Sequence, residues 1–150
     1  MPDSVIVDTS SLIALEKIGL LNLLCDLYSE VLVPESVMRE YGPMGLPCLS
    51  VRRVVSNLLE LLITDLNLGK GEAEAIALAS ETGYRIVVDD SKARRVAQNM
   101  GLKITGTIGI LLRAERSGLI ESAEKKVREL KAKGFYISDE LLEGMARLRR

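Results

Sequence analysis

With 150 residues, 47% of them hydrophobic, the chain is long enough for one domain with a substantial core and short for two. Aromatics make up only 3%, so that core must be aliphatic, which suits helices packed on a parallel sheet better than an all-β sandwich. A net charge of −1 gives no global basic field to draw in nucleic acid, and the lack of histidine excludes Ser-His-Asp and Cys-His catalysis and the common zinc sites.

No apolar run approaches the roughly 20 residues that span a bilayer. The N-terminus lacks the basic start of a signal peptide. A cytoplasmic protein without a membrane partner is the expectation. Cys25 and Cys48 are too few and too far apart for a Cys-rich metal site. They are expected as reduced, partly buried thiols, with a disulfide as the alternative.

Residues 4–8 read as a first strand: a β-branched apolar run ending on Asp8 and the hydroxyl cluster Thr9-Ser10-Ser11. Residues 10–18 follow as a helix, broken at Gly19, and residues 20–27 as a short apolar helix. That second helix belongs to the core or to a dimer face. Val31-Leu32-Val33 is a strand ended by Pro34, and residues 35–41 a short helix. Residues 42–47 form a Gly/Pro loop, and residues 51–63 fit a helix or a strand equally well. Gly69-Lys70-Gly71 is a break before an Ala-rich helix over 72–82, whose small or apolar residues predict burial. Residues 85–88 read as a strand, 91–100 as a helix, 103–105 as a short strand, and 107–117 and 121–133 as helices ended by glycines. Ser138 caps a last helix. Strands alternating with helices are the pattern of a parallel α/β domain filling residues 1–150.

Ligands in such folds bind at the carboxyl ends of strands, where Asp8 stands. An N-cap does not require an Asp there, because Thr9 and Ser10 cap equally well. Glu40 lies near the C-terminus of its helix, where an acid opposes the macrodipole. Glu72 and Glu74 open the Ala-rich helix, but residues two apart diverge by roughly 200°, so one faces a cleft and the other does not. Asp89 and Asp90 end a strand; capping the next helix needs one acid, not two. Carboxylates gathered at one sheet edge repel unless a cation joins them. With no histidine present, such a cation is held by carboxylate oxygens, which favours Mg²⁺ or Mn²⁺ and suits attack of water on a phosphodiester.

These blocks resemble the PIN domain family of metal-dependent nucleases over nearly the whole chain. The similarity runs through Val5-Ile6-Val7-Asp8-Thr9-Ser10-Ser11, Val33-Pro34-Glu35 to Glu40, Gly69-Lys70-Gly71-Glu72-Ala73-Glu74, Val87-Val88-Asp89-Asp90-Ser91 and Gly106-Thr107-Ile108-Gly109, in that order. The resemblance implies a three-layer α/β/α sandwich around a parallel sheet and an Mg²⁺- or Mn²⁺-dependent endonuclease acting on RNA. It implies metal ligands at Asp8, Glu40, one of Glu72 or Glu74, and one of Asp89 or Asp90, with Asp8, Glu40, Glu74 and Asp90 as the catalytic set. Ser10, Lys92, Arg94, Arg95 and Thr107 would hold the RNA. Many small prokaryotic members are toxins of VapC-type toxin–antitoxin pairs and many dimerise, so an antitoxin partner and a homodimer are further expectations. The Glu of the third block, where the toxin branch more often has Asp, departs from the pattern.

The bases of residues 125–133 interleave with acids as ordinary helix-surface pairs, and Arg147, Arg149 and Arg150 read as a frayed end. So few aromatics predict no stacking platform for single-stranded nucleic acid. The alternative to the enzyme is a catalytically silent PIN-fold module that holds RNA or protein. A phosphotransferase using Asp8 as nucleophile would want a second Asp where Ser10 stands.

Overall fold

The computed structural model describes residues 3–148. Five strands form one parallel sheet: β1 (Ser4–Val7), β2 (Glu30–Pro34), β3 (Leu49–Arg52), β4 (Arg85–Val87) and β5 (Ile104–Thr105), in the order β3-β2-β1-β4-β5. The connections are α1 (Thr9–Lys17) with α2 (Leu23–Leu27), then α3 (Glu35–Tyr41). After β3 come α4 (Leu58–Glu60), a π-helical turn (Leu61–Asp65) and α5 (Lys70–Thr82); α6 (Ser91–Asn99) links β4 to β5. Three helices close the chain: α7 (Thr107–Arg116), α8 (Ala123–Ala132) and α9 (Asp139–Leu148).

The strand residues alternate between two helical layers, as a period of two requires. Val5, Val7, Val31, Val33 and Val87 pack with Leu12, Leu15, Leu24, Ile110, Leu111 and Val127 on one side. Ile6, Leu32, Ile86 and Val88 pack with Leu62, Ile76, Ala93 and Ala97 on the other. This is the α/β/α sandwich. Each fully buried Leu or Ile contributes about 1.5–3 kcal/mol. Both sheet faces are covered, which is why the strands read as continuous apolar runs. No described helix is long and apolar enough to cross a membrane.

Residues 51–63 hold both readings: an edge strand through Arg52, then a helical turn whose Leu58, Leu59 and Leu62 join the second layer. Gly69 does not end the break before α5 but caps the helix, because the Glu72 carboxylate reaches back to the Gly69 N–H at 3.1 Å. Leu23, Leu24 and Leu27 of the second helix are core. The expectation of reduced thiols is overturned: Cys25 and Cys48 form a disulfide, since α2 and the start of β3 bring their Cα atoms to 5.6 Å, within bridging range.

The chain moves from β1 outward through β2 to β3, then returns to the opposite side of β1 as β4. That reversal opens a crevice at the carboxyl ends of β1 and β4, the usual ligand position in such sheets.

Candidate active site

Asp8 follows β1 and Asp89 follows β4, so the crevice has an acid on each lip. The Asp8 N–H donates to the Val87 carbonyl at 3.3 Å, tying the two lips together. Asp8 also caps α1, accepting from the Thr9 N–H at 2.7 Å. It is 4% exposed, and burial is the main force raising its pKa from 3.8 to about 7. The Thr9 N–H opposes that rise, while Glu72, Glu40 and Asp89 add to it by like-charge repulsion. Three acids remote in sequence thus converge on Asp8.

Glu72 is held raised by burial first, then by Asp90 and Glu40, against the Gly69 N–H and Lys92, which lower it. Glu40 points from the end of α3 toward the start of α5. A Cβ on Gly71 would lie 2.9 Å from Glu40 Oε1, 3.2 Å from Val37 Cγ2 and 3.6 Å from Asp8 Oδ1. With no side chain, Gly71 leaves the Glu40 carboxylate room against the first turn of α5.

Asp89 is fixed by three hydrogen bonds. Ser11 Oγ donates at 2.8 Å and Thr107 Oγ1 at 2.6 Å to one oxygen, and the Thr107 N–H donates at 2.8 Å to the other. Gly106 leaves room for this, since a Cβ there would lie 2.7 Å from Asp89 Oδ1 and 2.9 Å from an Arg94 nitrogen. Asp90 caps α6 by accepting from the Ala93 N–H at 2.9 Å, while its charge still reaches Glu72. The strand-end pair therefore divides its work: one acid caps and the other is aimed by side chains.

Glu74 departs from the expected set. It is 5% exposed, and one of its oxygens accepts from Ser36 Oγ at 2.7 Å and the Ser36 N–H at 3.3 Å. It anchors the first turn of α3, whereas Glu72 is the member of that pair whose charge acts on Asp8. Of the bases, Arg94 donates to the Val88 carbonyl at 2.8 Å and Lys92 to the Asn67 carbonyl at 3.3 Å, while Arg95 is exposed. Thr107 is buried with its hydroxyl spent on Asp89, and Ser10 is exposed beside it. Arg149 and Arg150 lie outside the described residues. Ser11 carries no signal in the sequence beyond its place in a hydroxyl cluster; its role follows only from the fold, which sets it against an acid 78 residues away.

The crevice suits a hard divalent cation by donor type. Its ligating groups are carboxylate oxygens, and their mutual repulsion is what a cation relieves. Thr9 Oγ1, next to Asp8, is a buried side-chain oxygen without a hydrogen bond among the described residues. Among the described residues no three Asp, Glu or Cys side chains stand close enough to surround an ion, so the acids converge without closing.

A parallel α/β sheet whose switch-point crevice is lined with carboxylates defines an α/β protein with an acid-centred candidate site. Comparison by sequence gives the family: a model described as a PIN domain matches residues 4–149, and the chain belongs to the PIN domain family. The fold is thus of nuclease type; PIN domains are generally nucleases, and PIN nucleases generally use divalent metals. No curated protein matches the chain significantly.

Proposed function

We propose that this protein is an Mg²⁺- or Mn²⁺-dependent endoribonuclease, with Asp8, Glu40, Glu72 and Asp89 as the cation-holding acids. The observation that carries this reading is Asp8 itself: a buried carboxyl at the switch point whose pKa is pushed to about 7 and which feels Glu72, Glu40 and Asp89 at once. Capping accounts for one bond each on Asp8 and Glu72 but does not require four carboxylates to act on one another at a single edge.

When bound, the cation would supply a water of lowered pKa and positive charge against the phosphodiester. The chain's own residues do the rest. Ser11 and Thr107 hold the Asp89 carboxylate in one orientation, as supporting groups behind metal ligands do. Gly71 and Gly106 keep the cleft open to close approach. Lys92 and Arg95, both exposed on α6 next to Asp90, would hold RNA phosphates beside the acids. Such an activity would let the protein serve in a cell as the toxin of a toxin–antitoxin pair.

The test is cleavage of single-stranded RNA by purified protein with Mn²⁺ or Mg²⁺, beside EDTA and Asp8→Asn. Metal-dependent cleavage that falls by roughly a thousandfold in Asp8→Asn is expected, comparable to removing a key transition-state stabiliser. Cleavage that survives the substitution, or no cleavage with any metal, would contradict the proposal. Growth arrest on expression, relieved by Asp8→Asn, tests the toxin role.

A further inference from the structure

We infer that the loop between α8 and α9 builds a nucleobase subsite beside the acid crevice, with Tyr136 as its stacking platform; the assignment of the base to RNA rests on the nuclease reading above. A cavity of about 230 Å³ opens at the carboxyl edge of the sheet. Ser10 and Asp89 line one end of it, and Ala14, Ile108, Phe135 and Tyr136 line the remainder. Asp89, whose charge also acts on Asp8, sets the cavity beside the acids. It is smaller than the roughly 300–1,000 Å³ of sites for drug-sized molecules, so it admits one ring system and not a folded segment.

The loop is built to present an aromatic outward. Gly134, at φ +99°, turns the chain as α8 ends, and the Phe135 N–H donates back to the Leu130 carbonyl at 3.1 Å. Phe135 packs against the core, Ile137 is buried, and Ser138 Oγ accepts from the Leu141 N–H at 3.2 Å. Lys131 and Asp139 form an ion pair across the loop. Both ends are therefore pinned while Tyr136 between them is 93% exposed. Its ring adds nothing to the core, and its hydroxyl has no partner among the described residues. In a chain that is only 3% aromatic, one such ring stands on the wall of the cavity next to the candidate site.

A nucleobase matches what the cavity offers. Its faces are flat and apolar, suited to Tyr136 and Ile108, and its edge is polar, suited to the exposed Ser10 hydroxyl. A strand with its phosphate at the crevice carries a base within reach of this wall. One exposed ring suffices for one base, so the subsite does not require the multi-ring stacking platform that the low aromatic content argues against.

Two experiments test the subsite. The first compares steady-state cleavage of a short RNA with that of the same RNA carrying abasic residues. Wild type is expected to show a KM lower for the base-containing strand by about 5- to 150-fold, the worth of stacking one base, with kcat little changed. Tyr136→Ala erases the difference and Tyr136→Phe keeps it. The second needs no cleavage. Tyr136→Trp introduces a single tryptophan into a chain that has none, and its fluorescence is followed on adding the same two RNAs in EDTA. Quenching by the base-containing strand alone supports the subsite, even if no metal ever yields cleavage and the nuclease reading falls. Equal quenching by both strands, no quenching by either, or an unchanged KM in Tyr136→Ala overturns the subsite and leaves the nuclease reading standing.

Discussion

At its amino edge the sheet mixes charges of both signs; at its carboxyl edge it crowds like ones. Glu30, which opens β2, accepts from Ser4 Oγ at 3.1 Å and pairs at 3.6 Å with Arg52, which reaches back from the end of β3, and Arg85 opens β4. At the other edge Asp8, Glu40, Glu72, Asp89 and Asp90 gather, and no ion pair to any of them forms among the described residues. An exposed pair such as Glu30–Arg52 contributes about 0–1 kcal/mol and would be missed little. A buried carboxyl without a cation destabilises the fold whenever it ionises. The amino edge is therefore ordinary protein surface, whereas the carboxyl edge holds crowded like charges that a ligand of opposite charge would relieve.

The largest effect that sharpens this contrast is on stability against pH. Asp8 has a folded pKa of about 7 against an ordinary 3.8, so between those values the unfolded chain ionises first. The metal-free protein should lose stability as pH rises from about 4 to about 7, by on the order of 4 kcal/mol, and stay at the lower level above that. Glu72, also raised, adds in the same direction. Denaturant unfolding of the metal-free protein at pH 5 and pH 8 checks the sign. Asp8→Asn, which keeps a capping side chain, should be more stable than wild type at pH 8 while losing activity. A wild type more stable at pH 8 than at pH 5 would place the Asp8 carboxylate in a paired setting like that of Glu30.

A smaller effect separates shape from charge. Gly71→Ala should lower cleavage by up to about a hundredfold, because displacing Glu40 by a fraction of an ångström misplaces a ligand. Stability should stay within about 1 kcal/mol, since Ala favours the helix by a comparable amount. Activity and melting measured on the same preparation distinguish this from general unfolding.

The smallest effect lies on Glu74, the acid that leaves the carboxyl-edge cluster. Glu74→Ala should cost about 1–3 kcal/mol by stripping Ser36 of its buried acceptor. Mn²⁺ affinity of the folded protein should be unchanged. A loss of Mn²⁺ binding in Glu74→Ala, with Glu72→Gln unaffected, would exchange their roles.

How much was legible in the sequence depends on range. Apolar runs and glycines predict the strands and most helices, because period and backbone freedom are local. Asp8 is legible because a strand end is a local feature with a known place in α/β sheets. The choice within each acid pair is not. Helical geometry says that Glu72 and Glu74 diverge, but the choice rests on Ser36, distant in sequence and adjacent in space. Asp90 caps α6 through the Ala93 N–H three residues on, a local feature, while Asp89 accepts from Ser11 and Thr107 on other elements. The disulfide and the Tyr136 cavity are likewise products of packing. Spacing in sequence says nothing of the 5.6 Å between Cys25 and Cys48, and a low aromatic content says nothing of where one ring stands.

The most direct test of a cation-hungry carboxyl edge is calorimetric titration of the protein with Mn²⁺ at pH 7 in two buffers of different ionisation enthalpy. With Asp8 near its pKa, binding should release about half a proton from that group, seen as a buffer-dependent heat, and Asp8→Asn should lose both the affinity and the proton. No binding at millimolar Mn²⁺, or binding that releases no proton and survives Asp8→Asn, would show that the acids of the carboxyl edge do not act as a cation site.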